Sequence, residues 1–276
     1  MFTIFKSTRR LHRLTASFGI VLIIVVFMTN MSERISVPDT VSLGVIMLLA
    51  ISAWIFLTYW VFNRIAASKL GKINALLFDE CRVGAYIQNI RELLAEKRPD
   101  YKEIKIFLQL NLSGGYLIAG DAANAEFALG MITGFPNSRA GAVYTLLYQA
   151  YWCEYYLTFK SDAEAAYRCL EVAKEAFGSQ KFPRSKHGPA FAPLLDEMAY
   201  RINIHQGIYD GAEEFFKYLL EKEISLLGRV SKNFMLGKIH SHYGETEKAK
   251  AAFEFAAENG GDSYYAEKSK YYLSQL

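Results

Sequence analysis

The segment GKIHSHYGETEKAKAAFEFA, residues 237–256, decides the fold of this chain. Within it, Gly244 interrupts a helical pattern with a residue that readily adopts the left-handed conformation that ends a helix. Gly237 and Ala249 have almost no side chain, so the two flanking helices can approach closely, and Phe253 follows at helical spacing. The segment therefore predicts two short antiparallel helices joined by a tight turn, an αα-hairpin.

The same spacing of small and large apolar residues recurs upstream, at Gly207, Ala212 and Phe216; at Ala165 and Val172; and at Leu112, Tyr116, Gly120, Ala125 and Leu129. This spacing resembles the tetratricopeptide repeat, a helix–turn–helix unit of about 34 residues. The resemblance implies an all-α fold in which αα-hairpins stack into a right-handed solenoid. Four hairpins are expected, over residues 101–134, 138–178, 189–223 and 225–259, followed by a capping helix within 262–276.

Two apolar segments precede the repeats. Residues 14–31 and residues 41–62 contain no charged side chain, and both approach or reach the length of about 20 residues that a helix needs to cross a bilayer core. Because only residues 32–40 separate them, the sequence predicts a transmembrane hairpin in residues 1–64. A cleaved signal peptide is the alternative for the first segment, but residues 28–31 make a poor cleavage site.

Basic residues flank these segments: Lys6, Arg9, Arg10 and Arg13 before them, Arg64, Lys69 and Lys72 after them, and only Arg34 between them. Cytoplasmic loops carry the excess of Lys and Arg, so both termini are expected in the cytoplasm and the protein in a bacterial-type inner membrane. Residues 1–64 carry a net charge of +4 and the whole chain +3, which leaves −1 for residues 65–276. A nucleic-acid partner is therefore not expected.

The remaining domain organisation follows from the helical pattern. Residues 65–98 carry an apolar stripe and are predicted to form a juxtamembrane helix or an incomplete first repeat, and residues 99–276 hold the repeats. Cys81, Cys153 and Cys169 form no CxxC pair. We expect buried free thiols in a reducing compartment.

The resemblance also implies a binding surface, because peptides bind tetratricopeptide arrays along the concave face formed by the first helix of each hairpin. Carried over to this chain, that face holds Arg201, His205, Phe234, Lys238 and His242. Cations, histidines and an aromatic ring in one groove are expected to hold an acidic or C-terminal peptide through charge-assisted hydrogen bonds. An ordinary solvated helix face is the alternative.

Two further regions are candidate interfaces. Lys181, Arg184 and Lys186 lie in an irregular stretch and are expected either to engage anionic lipid or a partner, or to belong to a plain linker. The aromatic helix within residues 144–156 forms either the core between repeats or an exposed surface for another protein.

Catalytic motifs are missing from the sequence: HExxH, GxSxG, GxGxxG and the phosphate-binding loop all have no match. No catalytic residue, metal or cofactor is therefore expected, and the chain is not expected to be an enzyme. We interpret it as a membrane-anchored adaptor or scaffold with a protein or peptide partner. The alternatives are a fixed structural subunit of a larger membrane complex and, less favoured, a regulator of an enzyme.

Overall fold

The computed structural model describes residues 6–31, 37–96, 102–178 and 188–276, and within these ranges it is helical without a β-strand. The predicted all-α class is confirmed. Its helices are α1 (Lys6–Met31), α2 (Val37–Phe78), α3 (Val83–Ala95), α4 (Lys102–Ala119), α5 (Ala122–Gly130), α6 (Arg139–Tyr155), α7 (Ala163–Gly178), α8 (Gly188–His205), α9 (Ala212–Lys222), α10 (Leu226–His242), α11 (Thr246–Asn259) and α12 (Tyr264–Leu273). A π-helical turn, Tyr156–Lys160, extends α6.

The chain divides into two compact units, residues 1–72 and 73–276. In the first unit, α1 and α2 touch at three points: Lys69 Nζ donates to Thr8 Oγ1 at 3.4 Å, the rings of His12 and Phe62 have centroids 5.4 Å apart, and Trp54 Nε1 donates to the Thr15 carbonyl at 3.4 Å. Later residues of α1 contact earlier residues of α2, so the two helices run antiparallel, as a hairpin requires.

One helix among the described residues is long and apolar enough to cross a membrane, the 34-residue segment Val45–Phe78 of α2. This fits a membrane association. The predicted second span, residues 41–62, lies inside α2, but the helix continues without a break through Gly71, so residues 65–78 do not form a separate juxtamembrane helix. At about 1.5 Å per residue, the 42 residues of α2 extend over about 63 Å.

The second unit is built from helix pairs in the segments predicted to be hairpins. Direct packing joins α4 to α5, α6 to α7, and α10 to α11, while α3 packs on α4, α7 on α8 and α9 on α10. Between α8 and α9, the rings of Tyr200 and Phe215 stack with centroids 4.3 Å apart.

Three of the hairpins share one kind of turn. Gly120, Gly207 and Gly244 have φ values of +76°, +81° and +73°. In each case the next residue donates its backbone N–H to the carbonyl five positions earlier, at 2.8 to 2.9 Å. This is the Schellman arrangement, which satisfies carbonyls that a helix end leaves open and which favours glycine because of the positive φ.

The turn between α6 and α7 is the exception. Here the positive φ, 52°, falls on Ser161, and the Asp162 N–H bonds to the Tyr156 carbonyl six positions earlier. The π-helical turn explains the difference, because it adds one residue to the end of α6. This turn therefore has the same positive φ and the same kind of closing hydrogen bond as the other three, but the bond spans one more residue.

The last helix meets the first hairpin. α12 packs against α11 and α10, as expected of a capping helix, and it also packs against α4. The Asp262 carboxylate accepts the backbone N–H groups of Val83 at 2.6 Å and Gly84 at 2.9 Å, at the start of α3. We call this contact the clasp. A carboxylate satisfies two open N–H groups and favours the positive end of α3, so the clasp links the two ends of the array.

Candidate functional site

A cavity of about 430 Å³ lies in the second unit, walled by α4, α6, α8 and α10 with contributions from the end of α2, α3 and α12. Most of the wall is apolar, including Leu117, Ile118, Ala150, Leu194, Met198 and Leu227. Its volume and mixed lining are those of small-molecule sites in proteins.

Ionised groups from three helices form the polar wall of this cavity. Arg201 Nη1 donates to the two carboxylate oxygens of Glu154 at 3.1 and 3.2 Å. Its Nε and Nη2 donate to Glu197 Oε1 at 3.0 and 2.9 Å, and Nη2 also donates to Ser231 Oγ at 2.9 Å. Lys232 Nζ donates to the Glu197 carboxylate at 2.9 and 3.1 Å. These five residues are called the inner cluster below.

Glu197 and Arg201 of the inner cluster stay ionised because of their charged neighbours. Burial disfavours the charge of Glu197, but Arg201 and Lys232 outweigh that effect and keep the pKa of Glu197 below its usual value. Burial likewise opposes the charge of Arg201, yet the attraction of Glu154 and Glu197 raises the pKa of Arg201 well above its usual value. At neutral pH Glu197 and Arg201 are therefore a fixed pair of opposite charges in a mostly buried position.

Lys238 lies two helical turns after Ser231, on the same side of α10. It is half-buried, and among the described residues its ammonium group makes no hydrogen bond or ion pair. Burial and the nearby charge of Arg201 lower the pKa of Lys238, and the attraction of Glu154 only partly opposes them.

Tyrosines make up another part of the cavity wall. Tyr86 donates its hydroxyl to Asn111 Oδ1 at 2.8 Å, and the Asn111 amide donates to the Phe107 carbonyl at 2.7 Å. Gly114 leaves room for the Tyr151 hydroxyl, because a Cβ there would lie 2.9 Å from that oxygen. Burial raises the pKa of both Tyr86 and Tyr151, so both hydroxyls stay protonated and able to donate.

The structure disperses the five groove residues carried over from the resemblance. Arg201 belongs to the inner cluster, so its donors are already used within the chain. Phe234 is only 5 % exposed and packs against the rings of Phe253, Tyr264, Tyr265 and Tyr272, which places it in the core.

The other three groove residues remain accessible to different degrees. Lys238 and His205 are half-buried, while His242 is exposed and stacks on Tyr209 with ring centroids 3.8 Å apart. The basic candidates Lys181, Arg184 and Lys186 lie outside the described residues.

Sequence reasoning missed Glu154, Glu197 and Lys232. Glu197 precedes Arg201 by four positions, a spacing at which opposite charges pair on a helix, so this contact had a sequence signal. Glu154 lies 47 positions from Arg201, within the aromatic helix, and no local pattern connects the two residues.

The aromatic residues of α6 pack inside the second unit. Trp152 stacks on Tyr156 with centroids 5.5 Å apart and meets Tyr148 and Tyr155 edge to face. Tyr155 is 1 % exposed, and the helix contacts α4, α5, α7 and α8. These rings form core between helix pairs rather than a free surface.

A separate polar cluster lies where α9, α10 and the turn before α11 come close together. Atoms of Glu213, His240 and Glu245 that can hold a metal lie within 4.8 Å of one another. Each carboxylate is already paired, Glu213 with Lys217 at 2.5 Å and Glu245 with Lys248 at 2.7 Å, and His240 Nδ1 lies 2.6 Å from Glu245. The first pair lies within α9 and the second at the start of α11, while the His240 contact connects α10 to the turn before α11.

The cysteine thiols are buried and free. Burial raises the pKa of Cys81 and that of Cys169 to about 11, so neither is a ready nucleophile at neutral pH.

Comparison of the chain with protein-family models, with curated proteins and with solved structures gives no match. The chemistry and geometry of its own residues are therefore the basis for the function proposed below.

Proposed function

We propose that this protein is a membrane-anchored adaptor that binds a protein or peptide partner on the helical array of its second unit. A single observation carries the proposal: one chain combines an apolar 34-residue helical segment with a compact array of helix pairs that leaves cations and histidines accessible. The anchor would confine the partner to the membrane plane, which raises its effective concentration there.

The repeated turns support a tetratricopeptide-like, right-handed array. Three glycines with positive φ close helix pairs through the same hydrogen bond, and the packing at Gly237 follows the small-residue pattern of that repeat. A Cβ on Gly237 would lie 2.5 Å from the Phe253 ring, so the two helices of this hairpin touch at that point. A stacked array of this kind offers an extended face for a partner.

The anchor is proposed to be a transmembrane hairpin of α1 and α2 in a bacterial-type inner membrane, with both termini cytoplasmic. The antiparallel contacts between the two helices and the basic residues that flank the apolar segments support this arrangement. Exposed apolar side chains along both helices, such as Phe18 and Phe56 at 71 % each, fit contact with lipid.

The partner surface is proposed to be the rim formed by His205, Tyr209 and His242, at the ends of α8 and α10. The stacked rings of Tyr209 and His242 offer an aromatic edge and the hydrogen-bonding nitrogens of an imidazole. Such groups hold peptides by stacking and hydrogen bonds.

Affinity purification from membranes in mild detergent tests this proposal. The double variant His205→Glu/His242→Glu changes the rim, and Lys250→Glu, at an exposed lysine of α11, is the matched control. We expect the wild type and the control to retain the partner and the rim variant to lose it, with unchanged melting of all three proteins.

A fixed structural subunit of a membrane complex is the second candidate, favoured by the apolar exposed surface of α1 and α2. It predicts a partner that survives both the rim variant and high salt, since apolar contacts between helices are not screened. That result would replace the adaptor proposal.

A further inference from the structure

The antiparallel pair of α1 and α2 brings basic side chains from two distant parts of the sequence to one end of the first unit. Two residues of α1, Thr8 and His12, contact α2 within residues 62–69. Arg10 lies between these two residues, and Arg64 lies within the contacted segment of α2. The two arginines are therefore at nearly the same level along the helix pair.

Two further cations lie close to this level. Arg13 follows Arg10 by one turn of α1, and Lys72 follows Arg64 by about two turns, or about 12 Å, of α2. All four side chains are exposed. We call Arg10, Arg13, Arg64 and Lys72 the collar. The collar lies entirely within residues 1–72, the first of the two compact units.

The sequence around the collar supplies cations and no carboxylate. Residues 1–32 and 40–78 contain no Asp or Glu. They contain seven basic residues: Lys6, Arg9, Arg10, Arg13, Arg64, Lys69 and Lys72. Such a concentration of one sign of charge produces a positive potential, which attracts an anionic surface.

Apolar side chains are exposed between the cations of the collar. Leu11 and Leu14 directly follow Arg10 and Arg13 in α1 and are 55 % and 61 % exposed. Whatever covers this end of the pair therefore has to present hydrocarbon next to negative charge. A phospholipid of net negative charge meets both requirements, whereas an acidic peptide segment supplies mainly the charge.

The depth of Arg64 fits the phosphate level of a bilayer. Phe62 and Ala66, two positions before and after Arg64, are 6 % and 0 % exposed, so Arg64 points away from that buried side of α2. Its guanidinium lies 5.4 Å from the ring centroid of Trp60, which is 50 % exposed. Exposed tryptophans of membrane proteins concentrate at the level of the head groups.

We infer that the collar binds the head groups of anionic phospholipids, such as phosphatidylglycerol, in the membrane that holds α1 and α2. This rests on the membrane anchor proposed above and adds the class of lipid that the anchor selects. A zwitterionic lipid is a poorer match, because its own ammonium group balances its phosphate and leaves no net charge for the collar.

Electron paramagnetic resonance of spin-labelled lipids tests this inference. The full-length protein is reconstituted in phosphatidylcholine vesicles with a trace of spin-labelled phosphatidylglycerol or of spin-labelled phosphatidylcholine. The fraction of label that the protein immobilises gives the relative association constant of each lipid. We expect the constant for phosphatidylglycerol to be larger by at least about threefold, and the difference to shrink as added salt screens the charges.

Charge variants assign the preference to the collar. The triple variant Arg10→Gln/Arg13→Gln/Arg64→Gln should immobilise as much phosphatidylcholine as the wild type but should lose the preference for phosphatidylglycerol. The corresponding triple lysine variant keeps the charge and should keep the preference. The matched control removes three exposed lysines of the second unit and should also keep it; it is Lys217→Gln/Lys250→Gln/Lys270→Gln.

The outcomes separate this inference from the membrane anchor itself. If neither lipid is immobilised, α1 and α2 do not cross the bilayer, and the anchor and the inference are both wrong. Equal constants for the two lipids would leave the anchor in place and overturn the inference alone. A preference that survives the glutamine variant, or that is lost in the lysine variant, would also overturn it.

Two further measurements distinguish lipid from other anions. Inorganic phosphate should reduce the preference no more than chloride at equal ionic strength; a specific loss in phosphate would make the collar a site for the free ion. Capture of the protein partner should be the same in the glutamine variant and in the wild type. Loss of the partner with an unchanged lipid preference would assign the collar to an acidic protein instead.

Discussion

Gly237 and Lys238 are neighbours in α10, yet they belong to two faces of that helix with opposite character. A Cβ on Gly237 would meet the Phe253 ring at 2.5 Å, and Phe253 is fully buried. Lys238 faces Arg201 and Glu154, and among the described residues it has no hydrogen-bond partner. The face toward α11 is packed for stability. The face that carries Lys238 keeps a half-buried charge without a partner among the described residues, which costs stability.

The largest effect is expected at the inner cluster. Arg201→Met removes the cation that pairs with Glu154 and one of the two cations that pair with Glu197, so the half-buried Glu154 carboxylate is left without compensation and Glu197 keeps Lys232. We expect the free energy of unfolding to fall by about 3–5 kcal/mol in chemical denaturation.

The matched control for this change is Arg168→Met, which breaks the exposed pair with Glu164. This change should lower the free energy of unfolding by less than about 1 kcal/mol. Equal losses in the two variants would mean that the inner cluster adds nothing to stability and would remove the contrast between buried and exposed pairs.

The stability of the packed face of α10 should depend on the volume of the side chains at the contact with α11. Ala249 is fully buried on α11, so Ala249→Leu overfills the helix crossing and should lower the free energy of unfolding by about 1–3 kcal/mol. Ala251→Leu, at an exposed position of the same helix, should change it by less than about 0.5 kcal/mol. A thermal melt of Ala249→Leu identical to that of the control would show that α10 and α11 do not meet as described.

The clasp should have a smaller and more local effect. Asp262→Ala leaves the N–H groups of Val83 and Gly84 without their acceptor. The free energy of unfolding should fall by about 0.5–2 kcal/mol. Hydrogen exchange should quicken at the start of α3. Unchanged exchange there would mean that the two ends of the array are not joined through Asp262.

Gly244→Ala, in the turn between α10 and α11, should lower the free energy of unfolding by about 1 kcal/mol, because the φ of +73° at this position disfavours a side chain. Gly130→Ala is the control: Gly130 ends α5 without a positive φ, and a Cβ there meets nothing within 4 Å. The alanine should be neutral or stabilising at that position. A Gly244→Ala protein as stable as Gly130→Ala would contradict the shared turn.

The last effect appears only in acid. Since the pKa of Glu197 is lower in the folded protein than in the unfolded chain, its charge stabilises the fold above the unfolded pKa of about 4.3. That contribution is lost as pH falls through the folded pKa. Denaturation measured from pH 7 downward should show this loss, and Glu197→Gln should flatten the slope. An equally steep slope in the variant would assign the acid sensitivity to other groups.

Local chemistry made part of this structure predictable. Gly244 and the small residues around it placed the last hairpin, since turn conformation and close packing act over a few residues. The end of α2 was not predictable in the same way: Gly71 is exposed with nothing within 4 Å, and nothing around it stops the helix from continuing.

The site was harder to predict because its contacts are distant in sequence. Asp262 reaches Val83 over 179 positions, and Arg201 reaches Glu154 over 47. A single sequence does not show which residues so far apart come into contact. The resemblance pointed to Arg201 and Lys238, but it could not reveal that Arg201 is paired within the chain while Lys238 has no partner among the described residues.

The thermal melt of Lys238→Met in the full-length protein, without added ligand, tests the contrast between the two faces most directly. If the half-buried cation of Lys238 has no partner, as among the described residues, the variant gains about 1 kcal/mol or more in free energy of unfolding, and its melting temperature rises by about 2–4 °C. A lower melting temperature would mean that Lys238 stabilises the fold, and the contrast between the two faces of α10 would be wrong.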